Sequence, residues 1–156
     1  MAAASVALRR MSAAEVDAFL EALLPVYAAE RAAADHVPLA VATERGHEQI
    51  RRLLPRHGAL GGHHFAAVVA GTETVGGVWY HLDERSGEAF VYNLTVLAPH
   101  RRHGYASAAL ALVEAEARAA GCATLALNVF AANAGAIELY RRAGFGVASH
   151  HMNKKL

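Results

Sequence analysis

The stretch VLAPHRRHGYAS, residues 96–107, is the most informative part of this chain. In it an apolar run ends, a short basic loop follows, and a helical pattern begins. At a helix N-terminus several backbone N–H groups lack a partner inside the helix, and the helix dipole adds about half a positive charge. Such an end binds phosphate, and Gly104 has no Cβ to keep a pyrophosphate away. The stretch therefore predicts a strand, a phosphate-binding loop and a helix.

The side chains of this loop support an anion site without identifying the ligand. Arg101 and Arg102 add positive charge, and Ala106 is small at the second tight position. The G-x-G-x-x-G pattern of dinucleotide folds and the G-K-S/T of a P-loop are both missing. From the residues alone, an ordinary helix start behind a solvated basic turn is the alternative.

Composition restricts the class of protein. The chain has 156 residues, of which 54% are hydrophobic and 19% charged, which predicts one globular domain over residues 1–156. A net charge of +1 gives no field that favours nucleic acid or a membrane surface. No apolar run approaches the roughly 20 residues of a membrane span. The N-terminus lacks the pattern of a signal peptide, and Cys122 is the single cysteine, so we expect a cytoplasmic protein.

The first third of the chain predicts a strand and two helices. Val6–Met11 is typical of a strand, and Ser12 and Glu15 form an S-x-x-E capping box. An amphipathic stripe follows, in which Pro25 predicts a kink or an early end. A second helix is expected over Pro38–Leu54.

Three strand-like runs then predict an antiparallel meander: His64–Ala70, Val75–Leu82 and Ala89–Leu97. The third run is apolar on both faces, which is typical of a central strand. Strict alternation along it would put these side chains on one face: Phe90, Tyr92, Leu94 and Val96.

Beyond the basic loop the period changes to that of a helix. The helix face consists of Ala106, Leu110, Val113 and Ala117, and Gly121 ends it. A strand over Ala123–Phe130, a helix over Ala134–Ala143 and a last strand over Phe145–Met152 follow. The predicted order is β-α-α-β-β-β-α-β-α-β, a mixed α/β (α+β) fold.

Two motifs resemble those of one family. The R-x-x-G-x-A at residues 101–106 resembles the acetyl-CoA signature Q/R-x-x-G-x-G/A of the GNAT superfamily of N-acetyltransferases. Residues 133–145 resemble the family's N-x-x-A-x-x-L-Y-x-x-x-G-F. The motifs stand in the expected order, and the resemblance covers about residues 89–145. It implies a GNAT-like fold with splayed central strands, between which acetyl-CoA binds as cosubstrate.

The resemblance implies which residues bind acetyl-CoA. The pantetheine arm would pair with the backbone of Leu94, Thr95 and Val96. The pyrophosphate would bind to Arg101, Arg102, His103, Gly104, Tyr105, Ala106 and Ser107. Asn128 and Asn133 would hydrogen-bond the pantetheine or its thioester end.

The resemblance also implies two catalytic groups. The Val96 N–H would stabilise the oxyanion that develops at the thioester. Tyr140, which also contacts the cosubstrate, would protonate the leaving thiolate. A phenol with a pKa near 10 is a weaker acid than a thiol near 8.5, so the site must assist this transfer. The alternative is that Tyr140 only packs its helix on the sheet.

The acceptor of the acetyl group and its base are not defined by the motifs. An alkylammonium with a pKa of about 10.4 must lose a proton before it attacks. Enzymes of the family that acetylate ribosomal-protein N-termini carry Glu where this chain has Asn128, and Asn is not a base. The candidate bases, each of which could be an ordinary surface charge, are Glu88, His81, Glu30 and Asp35.

Several functions stay open at this point. The leading hypothesis is an acetyl-CoA-dependent N-acetyltransferase for a primary amine of a small molecule or peptide. The alternatives are an acyl-CoA-binding regulatory module without turnover and a transferase for a longer acyl chain. We expect no bound metal, because the adjacent histidines His63-His64 and His150-His151 would point to opposite faces of a strand. We expect no nucleic-acid or membrane partner, and a homodimer stays open.

Overall fold

The computed structural model describes residues 5–54 and 61–156. The predicted helix stop at Pro55 and the loop residue Gly58 lie outside these ranges. The strands and helices are, in order, β1 Val6–Arg10, α1 Ala13–Asp35, α2 Leu39–Leu53, β2 His63–Ala70, β3 Glu73–Asp83, β4 Glu88–Val96, a 3-10 turn Ala98–His100, α3 Tyr105–Ala119, β5 Thr124–Leu127 and α4 Ala134–Arg142.

The strands form one five-stranded sheet in the order β1-β2-β3-β4-β5. The first four strands pair antiparallel with their sequence neighbours, which confirms the predicted meander. Strand β5 follows the crossover through α3 and pairs parallel to β4. The fold class predicted from the sequence is therefore confirmed, and β4 lies inside the sheet.

The sheet buries apolar side chains on both faces. On one face Val78 and Val91 pack with Leu110 and Val113 of α3. On the other, Phe65 packs edge-on against Phe19 of α1, with 6.0 Å between ring centroids. Each fully buried Val, Leu or Phe side chain contributes about 1.5–3 kcal/mol. Both helices are thus held on the sheet by side chains that alternate along its strands.

A β-bulge changes the faces of β4. Trp79 of β3 pairs with Asn93, whereas the next residue, Tyr80, pairs with Val91, so Tyr92 is the extra residue. The prediction of one common face was wrong for these four side chains: Phe90, Tyr92, Leu94 and Val96. One inserted residue reverses the alternation of side chains along the strand. Leu94 packs with Val91 in the core under α3. Tyr92 stacks on Trp79 on the opposite face, at 4.7 Å between centroids.

Helix α1 begins as predicted but does not stop at Pro25. The Glu15 N–H donates to the Ser12 hydroxyl at 3.2 Å, and the Ser12 N–H donates to the Glu15 carboxylate at 2.7 Å. The helix then continues through the exposed Pro25 to Asp35. Packing against α2 overrides the local cost of the proline. Gly46 of α2 allows this close contact, since a Cβ there would lie 2.7 Å from Leu24 Cδ1.

The C-terminal part differs from the prediction. Strand β5 ends at Leu127, and residues 145–156 form no strand. Val147 and Met152 are exposed by 69% and 86%. Because no row of apolar side chains from this segment is buried, nothing fixes it against the sheet. The Asn153 side chain instead donates to the Ala34 carbonyl of α1 at 2.8 Å.

Two further observations concern the chain as a whole. Cys122 is buried in the cluster with Ala89 and Ala117, as expected for a small apolar residue. Among residues 5–54 and 61–156, no helix has the length and apolar character that a membrane span requires.

Candidate functional site

The edge of β4 opens halfway along the strand. Strands β4 and β5 pair only over Glu88–Val91 and Thr124–Leu127, although β4 continues to Val96. The bulge at Tyr92 bends β4 at this point, as bulges do. In the described part of the chain, residues 92–96 therefore have no partner in β5.

The backbone groups that face this open edge can be assigned from one hydrogen bond. The Leu97 N–H donates to the Val75 carbonyl of β3 at 2.8 Å. Since successive residues of a strand direct their N–H groups to opposite edges, the N–H groups of Val96 and Leu94 point away from β3. They are available to a chain that binds along the open edge.

The loop after β4 turns its backbone sharply. Arg102 has φ 63° and Gly104 has φ 80°. A left-handed conformation costs a residue with a side chain about 1–2 kcal/mol, so Arg102 is held there by the surrounding loop. Alternating left-handed and right-handed residues bring successive N–H groups to one side and create a concavity for an anion.

The N-terminus of α3 faces the same concavity. Gly104 is the N-cap, and no side chain caps the helix in the described part of the chain. The first helical hydrogen bond runs from the Ala108 N–H to the Gly104 carbonyl at 3.0 Å. The preceding N–H groups are therefore left for a ligand: those of Tyr105, Ala106 and Ser107.

A pocket of about 200 Å³ occupies this place. It is lined by Val96, His100, Arg101, Arg102, Gly104, Tyr105, Ala106, Ser107, Leu139 and Arg142. The structure thus brings most of the predicted pyrophosphate-binding residues to one cavity. Arg142 was missed by the sequence analysis. Arg142 could have been found from its distance to Leu139 in the sequence, because the two residues are three apart on α4 and share a face.

Hydrogen bonds inside the loop fix two of its basic side chains. Arg101 Nε donates to the Val96 carbonyl at 3.1 Å, which holds the guanidinium at the open edge. His103 Nδ1 donates to the His100 carbonyl at 3.1 Å. The His103 ring also stacks on Tyr105, at 5.8 Å between centroids. The side chain of His103 therefore serves the loop itself.

Tyr140 lies away from the basic pocket. It is half-buried against the core cluster together with Leu94 and Leu127, and its ring contacts Phe145 edge-on at 5.7 Å. Burial raises the pKa of the Tyr140 phenol, so the hydroxyl keeps its proton at neutral pH. Val96, by contrast, lines the basic pocket.

The two predicted asparagines differ in their surroundings. Asn133 is the N-cap of α4, and its side-chain oxygen accepts from the Ala136 N–H at 3.1 Å. Only its amide N–H₂ is left to meet a cosubstrate. Asn128 is exposed directly after the end of β5.

Helix α1 reaches the segment that follows β5. The rings of Tyr27 and Phe130 are 6.0 Å apart, and the Arg31 guanidinium lies 5.1 Å from the Phe130 centroid. Arg31 also donates to the Tyr27 hydroxyl at 2.8 Å, and this hydroxyl donates to Gln49 of α2 at 2.8 Å. The first two helices therefore border the end of β5, and no motif in the sequence points to Arg31.

The four candidate bases lie in different environments. Glu30 is exposed on α1, and Asp35 pairs with Arg31 at 3.7 Å. Glu88 is exposed at the start of β4. His81 is half-buried on β3, opposite Phe90. Of the four, His81 is the one that is both half-buried and on the sheet, since Glu88 is exposed where β4 begins.

Comparison with known proteins agrees with this geometry. Residues 20–145 match the acetyltransferase (GNAT) family. YycN of Bacillus subtilis, named as an uncharacterized N-acetyltransferase, is 37% identical over 107 residues, which are 67% of this chain and 69% of YycN. The crystal structure of YycN superposes with a TM-score of 0.90 at 32% identity, covering 97% of this chain and 99% of YycN.

Two further proteins are similar, one in sequence and one in fold alone. YdgE of Bacillus subtilis, also named as an uncharacterized N-acetyltransferase, is 30% identical over 74% of this chain and 75% of its own. An aminoglycoside acetyltransferase from an uncultured soil metagenomic sample shares the fold, with a TM-score of 0.57 at 24% identity over 97% and 99% of the two chains. Because the family match spans both the open edge and the basic pocket, this chain belongs to the GNAT family of acetyltransferases.

Proposed function

We propose that the protein is an acetyl-CoA-dependent N-acetyltransferase that acts on a primary amine of a small molecule or peptide. One observation carries the proposal: the open edge of β4 and the uncapped, basic end of α3 meet at Val96 and Arg101. A cosubstrate with an anionic end and a hydrogen-bonding arm fits this arrangement.

The basic pocket would hold the pyrophosphate. The N–H groups of Tyr105, Ala106 and Ser107 point out of the first turn of α3, and Arg101, Arg102 and Arg142 surround them. A helix N-terminus and fixed guanidinium groups both favour a multiply charged phosphate. This agreement of donors and charge supports an acyl-CoA as the cosubstrate.

The open edge would hold the pantetheine arm and the thioester. The N–H groups of Leu94 and Val96 both face this edge. Val96 lies beside the basic pocket and Leu94 beside Tyr140. We therefore propose that both N–H groups bind the cosubstrate along this edge and that the oxyanion is stabilised by the Val96 N–H together with that of Leu94.

Tyr140 would return a proton to the leaving thiolate. Its burial keeps the phenol protonated at neutral pH. A raised phenol pKa makes the transfer to a thiolate more unfavourable. The site must therefore assist the transfer, which takes place once the C–S bond has broken and the sulfur has become a basic thiolate. Asn128 and Asn133 would position the arm next to it.

Calorimetric titration of the protein with acetyl-CoA, CoA and a longer acyl-CoA tests the binding step. We expect acetyl-CoA to bind at micromolar strength or tighter. A panel of primary amines with detection of released CoA tests transfer. Binding without CoA release for every amine would favour a regulatory acyl-CoA-binding module, and preference for the longer acyl-CoA would favour a different acyl donor.

No binding of any CoA compound would contradict the assignment of the loop. That residues 1–156 form one domain and that this domain works in the cytoplasm are two further proposals, the second of which cell fractionation tests. Whether the domain is a monomer or a homodimer is tested with the same preparation. Sedimentation in the presence and absence of acetyl-CoA measures the oligomeric state directly.

A further inference from the structure

Two histidines meet on the sheet face that α1 covers. His63 of β2 and His81 of β3 are direct register partners, and their ring centroids are 4.5 Å apart. Both side chains are half-buried. Neither belongs to the GNAT motifs or to the basic pocket, so their arrangement needs another explanation.

The protonation of His63 is fixed by a neighbour. Trp79 Nε1 donates to His63 Nδ1 at 3.1 Å. An indole nitrogen can only donate, so Nδ1 of His63 carries no proton and a neutral ring has its proton on Nε2. Burial, followed by His81 and His64, lowers the pKa of His63 to about 4. His63 is therefore neutral at pH 7.

His81 has the complementary arrangement. Its Nε2 lies 3.0 Å from the Gly61 carbonyl. A carbonyl oxygen only accepts, so this nitrogen carries the proton and Nδ1 of the neutral ring holds a lone pair. Among the described residues, Nδ1 has no hydrogen-bond partner. Of the two histidines, only His81 can take up a proton without losing an existing hydrogen bond.

An aromatic floor leads from this pair to the bulge in β4. The floor consists of the half-buried rings of Tyr92 and Phe90, and the buried Trp79, which is 3% exposed, supports them. Tyr92 stacks on Trp79 at 4.7 Å, lies 4.7 Å from Phe90 and is 5.5 Å from His63, all between ring centroids. Tyr92 is the bulged residue, where the open edge of β4 begins. The floor is thus continuous from the open edge to His81.

We propose that this floor binds the apolar or aromatic arm of the amine acceptor and that His81 Nδ1 is the acceptor of the amine's proton. The inference rests on the proposed function and specifies its acceptor side. Phe90, the register partner of His81, is four residues from Leu94, about 13 Å along an extended strand. The proton therefore reaches His81 through water that runs beside the bound arm. His63 is a positioning residue.

The proposed transfer conserves protons and bonds. The ammonium group gives one proton through water to His81, which becomes an imidazolium, and the neutral amine nitrogen attacks the thioester carbon. The new C–N bond forms, the C–S bond breaks, and the thiolate receives its proton by way of Tyr140, which recovers one from the amine nitrogen. His81 then releases its proton to solvent, and the products are an amide and CoA thiol.

The charged and titratable groups around His81 are compatible with this role. On β2 these are His63 and His64, and on β3 the nearest is Asp83, whose pKa is lowered chiefly by hydrogen bonds from Ser86 and slightly by His81. On β4 they are Glu88 and Tyr92. Asp83 and Glu88 are the acidic groups among them.

A matched pair of variants tests the proposal. In His81→Gln the side-chain amide can still donate to Gly61, but no base remains. We expect kcat for 2-phenylethylamine at pH 7 to fall by about a hundredfold, with the acetyl-CoA affinity unchanged. His64→Gln is the control. His64 stacks on Tyr80 on the opposite face of the sheet, at 5.0 Å between ring centroids. The kcat of His64→Gln should therefore stay at the wild-type level.

A weakly basic acceptor separates proton transfer from structure. O-benzylhydroxylamine has nearly the shape of 2-phenylethylamine but is already neutral at pH 7. With this acceptor His81→Gln should match the wild type, which a merely structural defect would not allow. For 2-phenylethylamine, the difference in kcat between the wild type and His81→Gln should also become smaller as the pH approaches about 10.4, where an alkylamine loses its proton unaided.

The outcomes distinguish a failure of the roles assigned to His81 and the aromatic floor from a failure of the proposed function. Equal loss with both acceptors, or no loss with 2-phenylethylamine, would overturn the role of His81. If the wild type acetylates other amines but neither of these, the aromatic floor is not the acceptor surface. Absence of acetyl-CoA binding would instead contradict the proposed function. Nitrogen NMR of the imidazoles gives an independent check, with proton-free Nδ1 expected for both His63 and His81 at pH 8.

Discussion

Among single residues, the proposed function depends most on Tyr140 and Gly104. Tyr140 is placed by packing against the core, whereas Gly104 is placed by backbone geometry. The two can therefore be tested by changes of different kinds, one that removes a proton donor and one that alters a cavity.

Tyr140→Phe should keep acetyl-CoA affinity and lower kcat by about a hundredfold. The phenyl ring preserves the contact with Phe145, so only the proton donor is lost. Calorimetry and steady-state kinetics on the same preparation measure both quantities. Weakened binding with unchanged turnover would contradict the assigned role.

Gly104 permits a test with two substitutions. Its φ of 80° strains any side chain, although a Cβ would meet no atom within 4 Å. Gly104→Ala should therefore cost about 1–2 kcal/mol of stability and weaken binding through its Cβ alone, without a change of charge. Gly104→Glu adds a negative charge to the basic pocket and should reduce acetyl-CoA affinity by at least about a hundredfold. Equal affinities in the two variants would argue against a pyrophosphate at this position.

Among the secondary-structure elements, the start of α1 is stabilised by a charge that titrates. The Arg9 guanidinium, followed by the Ser12 N–H, lowers the pKa of Glu15 to about 2. A lowered folded-state pKa means that the stabilisation is present above the unfolded value near 4.5 and is lost as the pH falls towards 2.

Glu15→Gln should consequently be less stable than the wild type at pH 7, and the difference should disappear between about pH 4.5 and about pH 2. Urea unfolding at several pH values measures it. A difference that persists unchanged at pH 2 would show that the charge is not the cause.

The contact between β3 and β4 depends on a glycine. A Cβ at Gly76 would lie 2.2 Å from the Thr95 carbonyl oxygen. Gly76→Ala must therefore shift β4 and should cost about 1–3 kcal/mol, with weaker acetyl-CoA binding because the open edge moves. Gly135→Ala on α4 meets nothing within 4 Å and serves as control. Thermal unfolding and calorimetry measure both effects.

For the whole molecule, the sheet predicts uneven protection of its backbone. The amides of Leu94 and Val96 face the open edge, whereas β3 is paired on both sides. In hydrogen exchange, the amides of Leu94 and Val96 should exchange faster than the buried amides of β3. Acetyl-CoA should selectively slow the exchange of these two amides. Acetyl-CoA at a hundred times its Kd should also stabilise the fold by about 2.7 kcal/mol. Uniform protection along β4 without ligand would contradict an open edge.

Local signals were sufficient for most elements and for the core of the candidate site. The capping box at Ser12 and Glu15, the strand runs and the loop at Arg101–Ser107 depend on interactions between near neighbours, which a sequence displays directly. The two GNAT motifs likewise consist of residues close together in the chain, and they identified the family before any contact was known.

Contacts between distant residues account for the rest. The bulge at Tyr92 arises from the register between two strands, and the passage of α1 through Pro25 depends on packing against α2. Residues 146–156 form no strand, and their large apolar side chains, such as Val147 and Met152, are exposed. Arg142 joins the pocket and His63 joins His81 only when separate elements are brought together. Such pairings depend on cross-strand register and helix packing, which no short segment of the sequence encodes.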